Sequence, residues 1–281
     1  MPTAIHLNLD HAWPADQLPL ETWDATLWGP RLRFSAPSRL IEEFNGQAPQ
    51  KPFILYGSGD FHHLTALWLR RLTEPFILVS FDNHPDWDIR PPRWCCGGWI
   101  NRALELPDLE RISVWGCGNF ECWWPGQIFG NRRAEREGRL EVHPWADERP
   151  QSDRSRRGAI LRDTWRERFA AFSQEIAGKN LYVTIDLDCL RSEEAVTNWE
   201  SGRFTVEDIE WALKQLWCSG AQIVGGDICG AYSTPVYARI GQRIAATIDH
   251  PRLRGRDLAI AGKVNLLALK SLWPILVNQL S

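Results

Sequence analysis

The chain has 281 residues and a formal net charge of −3, which is too close to neutral to favour nucleic acid or an anionic membrane surface as a partner. Its composition, 44% hydrophobic and 24% charged, is typical of a soluble globular protein. The sequence indicates no signal peptide and no apolar run of about 20 residues, so we expect a cytoplasmic protein with no membrane partner. In that compartment the seven cysteines are expected to be reduced thiols.

Short apolar stretches bounded by turn residues predict β-strands, and the segments between them place apolar residues at helical intervals. The predicted strands are residues 5–10, 53–56, 76–82, 111–116, 140–143, 181–188 and 221–227. The predicted helices are residues 38–44, 62–72, 100–106, 165–176, 206–217, 235–249 and 264–280.

Two of the predicted helices begin with capping signals. Thr205 and Asp208 have the spacing of a capping box, and Thr234-Pro235 predicts a helix start because proline costs nothing in a first turn. Strands that alternate with helices indicate right-handed βαβ units, and therefore an α/β fold with a mainly parallel sheet. Neither a linker nor an internal repeat divides the chain, so we expect one domain spanning residues 1–281.

Polar side chains gather at the carboxyl ends of the predicted strands, where open parallel sheets bind their ligands. The third predicted strand continues as Asp82-Asn-His84-Pro-Asp86, and the sixth ends in Asp186-Leu-Asp188. Because side chains two apart on an extended backbone point to the same side, each segment is predicted to aim its polar groups at one centre.

A histidine-bearing turn follows the second predicted strand. It reads Gly59-Asp60-Phe61-His62-His63, and only one of the two histidines can face the strand ends from the first turn of a helix. We expect His62 to be the one that does so, with His63 as the alternative.

Gathering the carboxylates of the two Asp pairs at one point calls for a cation. At an effective dielectric constant near 20, two like charges about 4 Å apart repel by roughly 4 kcal/mol. A donor set of carboxylates and imidazoles suits Mn²⁺, with Fe²⁺ or Zn²⁺ as alternatives, and two ions would acidify a water held between them. The simpler interpretation is a set of solvated loop residues, but two Asp pairs and a histidine turn together argue against it.

These motifs resemble the metal motifs of the ureohydrolases, the arginase and agmatinase superfamily. The matching segments, spread over residues 53–230, are Gly59-Asp60 with His62, Asp82-Asn-His84-Pro-Asp86 and Ile185-Asp186-Leu-Asp188. The resemblance implies a three-layer α/β/α sandwich, the arginase-like domain, that holds a binuclear manganese cluster. It also implies ligand roles: Asp82 and Asp186 bridge the metals, His62 and Asp86 complete one site, and His84 and Asp188 complete the other.

The sequence departs from the family pattern at three places. Phe61 separates the first motif from its histidine, and Gly230 stands where guanidine hydrolases carry a glutamate that holds the guanidinium group. The loop after Asp86 offers Trp87 and Asp88 instead of the family's histidine-bearing substrate segment. The Asp82-Asn-His84-Pro-Asp86 version of the second motif, followed by Gly98-Trp-Ile100, is also similar to a divergent, uncharacterised branch of the arginase-like fold.

We therefore expect a metal-dependent hydrolase that attacks a C–N bond of an amidine, guanidine or amide through a metal-bridging hydroxide. Asp88 or His63 is the predicted proton-transfer residue, and the expected partner is a small-molecule substrate, with a homo-oligomer left open. The alternatives are a single-zinc, deacetylase-like amidohydrolase and a non-enzymatic metal- or ligand-binding relative that lacks the guanidinium-binding glutamate.

Overall fold

The computed structural model describes residues 4–250 and 257–277. Within these ranges, eight strands form one sheet in the order β2-β1-β3-β8-β7-β4-β5-β6, and every neighbouring pair is parallel. The strands are β1 (Ala4–Asn8), β2 (Thr22–Asp24), β3 (Phe53–Leu55), β4 (Phe76–Phe81), β5 (Leu109–Trp115), β6 (Leu140–His143), β7 (Asn180–Asp186) and β8 (Gln222–Cys229). The predicted α/β class with a parallel sheet is confirmed.

The sheet is surrounded by helices of very different lengths. The α-helices are α1 (Gly29–Leu32), α2 (Ser38–Asn45), α3 (Thr65–Leu69), α4 (Ile100–Ala103), α5 (Arg132–Arg136), α6 (Gln151–Arg154), α7 (Trp165–Glu175), α8 (Val206–Cys218), α9 (Ile240–Asp249) and α10 (Leu258–Val277). Turns of 3-10 helix occupy Ala15–Gln17, Gly59–Leu64, Cys96–Gly98, Phe120–Cys122, Gly126–Phe129 and Leu187–Cys189.

Alternate side chains of the central strands enter two separate apolar cores. Leu78 of β4 belongs to the core that α2, α3 and α4 cover, whereas Ile77 and Val79 belong to the core that α7, α8 and α10 cover. All six residues of β4 are buried, which explains why its sequence is an almost continuous apolar run. Two covered faces make this a three-layer α/β/α sandwich, as the resemblance implies.

Several predicted helix boundaries differ from the observed ones. The helix predicted over residues 62–72 is a 3-10 turn, Gly59–Leu64, followed by the short α3. The predicted start at Pro235 is wrong, because α9 begins at Ile240, where the Gln242 side chain accepts a hydrogen bond from the Arg239 backbone N–H at 3.0 Å. The last helix begins at Leu258 rather than residue 264, and residues 278–280 of that prediction lie outside the described residues.

Helix α10 corrects the expectation that the sequence holds no apolar run of membrane-spanning length. By length and composition alone, it is the one helix among residues 4–250 and 257–277 that could cross a bilayer. Its residues pack on the sheet, however: Leu276 lies against Gly226, and Trp217 of α8 donates to the Ile275 carbonyl at 2.9 Å. The buried core helix of a globular protein satisfies the same two criteria.

The capping box predicted at the start of α8 is confirmed and gives a direct test of local stability. Thr205 Oγ1 accepts from the Asp208 backbone N–H at 3.1 Å, and Asp208 Oδ2 accepts from the Thr205 backbone N–H at 3.0 Å. Thr205→Ala should therefore lower the free energy of unfolding by about 1 kcal/mol in urea titrations. Thr164 is the matched control, because it precedes α7 without a capping hydrogen bond, and Thr164→Ala should cost less. Equal losses in both variants would contradict the assignment.

Candidate metal centre

The acidic motifs meet because two neighbouring strands end side by side. In the β4–β7 pair, Phe81 is opposite Ile185, so Asp82 and Asp186 follow at adjacent positions on the carboxyl edge of the sheet. Both carboxylates are buried, with residue exposures of 1% and 3%. The site therefore lies at the carboxyl ends of the central strands, where ligands of open parallel sheets bind.

One group of potential metal ligands surrounds His62. Its Nδ1 lies 3.1 Å from Asp82 Oδ2, 3.2 Å from Asp86 Oδ2 and 3.7 Å from Asp186 Oδ2. Trp99 Nε1 donates to Asp86 Oδ2 at 2.6 Å and fixes that carboxylate from the other side. The His62 imidazole thus faces three carboxylates at the distances expected around one small cation.

A second group surrounds His84 and shares Asp82 with the first. Nδ1 of His84 lies 2.8 Å from Asp188 Oδ2 and 3.7 Å from Asp82 Oδ1. Its other ring nitrogen, Nε2, lies 3.4 Å from the half-exposed Glu200 carboxylate. The two oxygens of Asp82 therefore face different histidines, which is the arrangement of a carboxylate between two ions.

The backbone does not reach this arrangement by the simple alternation predicted from the spacing. Asp86 has φ of 45°, a left-handed conformation that is uncommon for a residue other than glycine. Asp188 lies in the 3-10 turn after β7, where its backbone N–H donates to Asp186 Oδ1 at 3.0 Å. Turns, rather than extended backbone, aim the second carboxylate of each pair at the centre.

Two glycines leave room for the Asp186 carboxylate. A Cβ on Gly59 would lie 2.6 Å from Asp186 Oδ2, and a Cβ on Gly230 would lie 2.2 Å from Asp186 Oδ1. Gly230 also has φ of 97°, which strains any residue with a side chain. Position 230, where the resemblance would place the glutamate of the guanidine hydrolases, therefore cannot hold one in this backbone conformation.

The turn that carries His62 is fixed by a buried ion pair that the sequence did not reveal. Arg33 Nε donates to Asp60 Oδ2 at 2.6 Å, and His250 Nε2 lies 2.6 Å from Asp60 Oδ1. Burial opposes charge on Asp60, yet these two neighbours lower its pKa to about 2. Because the partners are 27 and 190 residues away in sequence, only the fold brings them together.

Burial and mutual repulsion make the cluster electrostatically dependent on positive charge. Burial, with the charges of Asp188 and Asp82, raises the pKa of Asp186 well above its usual range. Burial and Asp82 also raise the pKa of Asp86, to about 7. Burial opposes charge on His62, but its contacts with Asp82 and Asp86 raise the imidazole pKa well above the usual value. The carboxylates therefore favour the binding of protons or of metal cations.

The donor set fits divalent metal ions. Two His/Asp groups, His62–Asp82–Asp86 and Asp82–His84–Asp188, each place their ligand atoms within 4.8 Å of one another. Nδ1 of His62 is buried and makes no hydrogen bond of good geometry with any described residue, although acidic oxygens surround it. A nitrogen so placed is suited to coordination, and a mixed oxygen and imidazole set suits Mn²⁺, Fe²⁺ or Zn²⁺.

The two residues predicted to transfer protons lie away from the cluster. Burial, together with nearby His62, lowers the pKa of His63 to about 3, and no described contact joins its ring to the four aspartates. The Asp88 carboxylate accepts from Arg90 Nη2 at 2.5 Å and lines a separate surface cavity with Arg90 and Arg93. Their catalytic roles remain sequence predictions.

The cluster forms the floor of a cavity of about 70 Å³ whose walls include residues that sequence reasoning missed. These are Cys96, Gly97, Asn119, Phe120, Glu121, Trp199, Glu200 and Asp249. Burial raises the pKa of the Glu121 carboxyl to about 7. Glu121, Glu200 and Asp249 come from three separate loops or helix ends, so no local motif could have grouped them.

No protein-family profile matches the chain. A curated relative, an uncharacterized protein of Thermotoga maritima, is 30% identical over 202 residues, which cover 71% of this chain and 66% of the relative. The chain thus matches just under two thirds of that relative's length.

Solved structures of three hydrolases share the architecture. Arginase from Bacillus caldovelox superposes with a TM-score of 0.56 at 12% identity, covering 100% of both chains. Proclavaminate amidino hydrolase from Streptomyces clavuligerus gives 0.51 at 14%, covering 97% of this chain and 93% of the other. Formimidoylglutamase from Bacillus subtilis gives 0.51 at 15%, covering 97% and 87%. The chain therefore has the arginase-like fold of the ureohydrolases.

Proposed function

We propose that this protein is a metal-dependent hydrolase that cleaves a C–N bond of an amidine, guanidine or amide, using two Mn²⁺ ions. The observation that carries the proposal is the pair of His/Asp groups that share Asp82. Two divalent ions, when bound, would act as Lewis acids and would lower the pKa of a water bound to them to about 7. The likeness to arginase, amidino hydrolase and formimidoylglutamase structures supports C–N bond hydrolysis over other metal-dependent reactions.

In the proposed centre, some residues would bind the metal ions and others would orient those ligands. His62, Asp82, Asp86 and Asp186 would hold one ion, and Asp82, His84, Asp186 and Asp188 would hold the other, so that Asp82 and Asp186 would serve both. Trp99 orients Asp86 through its indole N–H. The Glu200 carboxylate lies 3.4 Å from His84 Nε2 and supports the second histidine through charge, without a hydrogen bond of good geometry.

The substrate side of the cavity favours a positively charged compound. Gly230 stands where the resemblance places the glutamate of the guanidine hydrolases, so that carboxylate is missing here. Glu121 and Asp249 contribute other carboxyl groups to the cavity wall. Two divalent ions balance the four aspartates, so these further carboxyls leave the cavity with excess negative charge at a pH above their raised pKa values, about 7 for Glu121. Such a cavity attracts a cationic amino or guanidino group.

A single-zinc enzyme is the second candidate, and one observation favours it. Cys229 forms a further potential ligand group with His62 and Asp186, and thiolates are common zinc ligands. Burial, however, raises the pKa of the Cys229 thiol well above its usual value, and its Sγ lies 3.5 Å from Asp186 Oδ2 as a hydrogen-bond donor. The two groups that share Asp82 contain only carboxylate and imidazole ligands, which favours manganese at two positions.

The metal content of the purified protein tests the site. After manganese loading and desalting, elemental analysis should give about two ions per chain, consistent with two-metal hydrolases. Asp186→Asn should retain less than half of this, because it removes a proposed bridging carboxylate. Asp88→Asn is the matched control for metal content, since Asp88 already pairs with Arg90 outside the cluster. One equivalent of zinc in place of manganese would favour the second candidate.

A substrate panel tests the reaction itself. The manganese-loaded protein should release urea, ammonia or an amine from at least one guanidino, amidine or amide compound, and Asp186→Asn should be inactive on the same compound. Coupled ammonia assays and mass spectrometry of the products measure the release. Full metal loading without turnover on the whole panel would contradict hydrolysis and favour the non-enzymatic interpretation.

Glu121 tests the preference for positive charge. Glu121→Gln keeps the size of the side chain but removes the charge that the carboxyl carries above its pKa of about 7, so at about pH 8 to 9 KM for a cationic substrate should rise about tenfold, equivalent to about 1.4 kcal/mol. For a neutral amide of similar size, KM should change far less. Steady-state kinetics on the two substrates measure the difference, and equal changes on both would contradict a role in charge selection.

A further inference from the structure

A fully buried carboxylate lies behind His62 and is not part of the ligand set. Asp227 of β8 is 0% exposed, and its oxygens accept hydrogen bonds from several hydroxyl groups. Thr184 Oγ1 donates to Oδ1 at 2.6 Å, and the Tyr182 hydroxyl donates to Oδ2 at 2.8 Å. Tyr56 and Thr65 hydroxyls each lie 3.3 Å from Oδ1. Burial of a carboxylate is costly unless hydrogen bonds compensate for the lost water, and these donors do so.

One of these hydroxyls also contacts the proposed metal ligand. Thr184 Oγ1 lies 3.0 Å from His62 Nε2, the ring nitrogen that does not face the aspartates. A threonine hydroxyl has one hydrogen, and the 2.6 Å contact directs it to Asp227. The oxygen can therefore only accept from His62, which places the imidazole hydrogen on Nε2.

This hydrogen-bond direction determines what the other nitrogen of His62 can do. In a neutral imidazole with hydrogen on Nε2, Nδ1 carries a lone pair. That lone pair points at Asp82 and Asp86, whose oxygens lie 3.1 and 3.2 Å away and also carry lone pairs. Either a second proton on Nδ1 or a bound metal ion between them satisfies all three groups, and because the other hydrogen stays on Nε2, a metal ion can replace the Nδ1 proton. The two hydrogen bonds that link Asp227, Thr184 and His62 therefore hold the hydrogen on Nε2, and Nδ1 is the nitrogen that can coordinate a metal.

We infer that Thr184 and Asp227 are positioning residues that fix the tautomer and orientation of His62 and thereby set the metal affinity of the His62 site. This inference rests on the proposed metal site, and it adds two residues that contact neither metal nor substrate. Partners of this kind typically change metal affinity by about 10- to 100-fold when removed. The equivalent nitrogen of His84 faces the half-exposed Glu200 instead, so the two halves of the centre are supported differently.

Thr184→Val removes the hydroxyl while keeping the shape of the side chain. Calorimetric titration with Mn²⁺ should show about 10- to 100-fold weaker binding at one of two sites, and Thr184→Ser should restore affinity to near the wild-type value. Ser80 is the matched control, because it is opposite Thr184 in the β4–β7 pair and its buried hydroxyl has no hydrogen-bond partner in the described chain. Ser80→Ala should bind Mn²⁺ like the wild type.

A second readout does not depend on affinity or activity. The ¹⁵N shifts of the His62 ring in protein loaded with diamagnetic Zn²⁺ should show a protonated Nε2 in the wild type and in Thr184→Ser. In Thr184→Val, hydrogen exchange at Nε2 should be much faster, because the acceptor is gone. Thermal unfolding in the presence of a chelator checks that each variant is folded. If Thr184→Val does not fold, Asp227→Asn takes its place in both experiments. Asp227→Asn is also expected to bind Mn²⁺ more weakly than the wild type.

The outcomes separate this inference from the proposed function. A wild-type protein that binds no Mn²⁺ overturns the metal centre itself. A wild type that binds two ions, with folded Thr184→Val or Asp227→Asn binding them equally tightly, overturns the positioning role and leaves the metal centre standing. Equal weakening by Ser80→Ala would also overturn it, because the loss would then reflect any buried hydroxyl in this part of the sheet.

Discussion

The structure depends most on the crowding of buried carboxylates at the carboxyl edge of the central strands. Asp82, Asp86, Asp186 and Asp188 are each at most 7% exposed and converge on two imidazoles. At an effective dielectric constant near 20, each pair of such charges about 4 Å apart repels by roughly 4 kcal/mol, so bound cations are needed to make the ionised cluster favourable. The paired register of β4 and β7, the two glycines against Asp186 and the Arg33–Asp60 ion pair all hold this unfavourable arrangement together.

The arginase-like fold places the candidate metal centre at strand ends, and the cavity above it is lined by other segments of the chain. The metal motifs lie on strand ends, where backbone pairing fixes them. The cavity wall comes from loops and helix ends, such as Glu121 and Asp249, which are free to vary without disturbing the sheet. Gly230 lies against the Asp186 carboxylate, and a side chain at this position would collide with it. The space that Asp186 needs therefore excludes the glutamate that the resemblance would place at position 230. Under the proposed function, a different substrate on the same kind of metal centre explains both features.

Local sequence signals predicted the parts of the molecule that depend on local physics. The apolar run of β4 and the Thr205 capping box were predictable, because burial on two faces and a three-residue spacing leave direct marks. The left-handed Asp86 was not, since its conformation is imposed by contacts with Trp99 and Ile100 across the loop. Nor were Asp227 behind His62 or Glu121 in the cavity wall, which reach the site only through the order of the strands.

Anomalous diffraction from manganese-soaked crystals would locate the ions of the proposed metal centre. We expect two manganese peaks about 3.5–4 Å apart, the spacing of other two-metal sites. One peak should lie beside His62 Nδ1 and the other beside His84 Nδ1, with the Asp82 carboxylate between them. A single peak would leave a mononuclear site of the deacetylase-like kind. A map with full-occupancy manganese elsewhere and none between these side chains would contradict the metal centre and the hydrolase built on it.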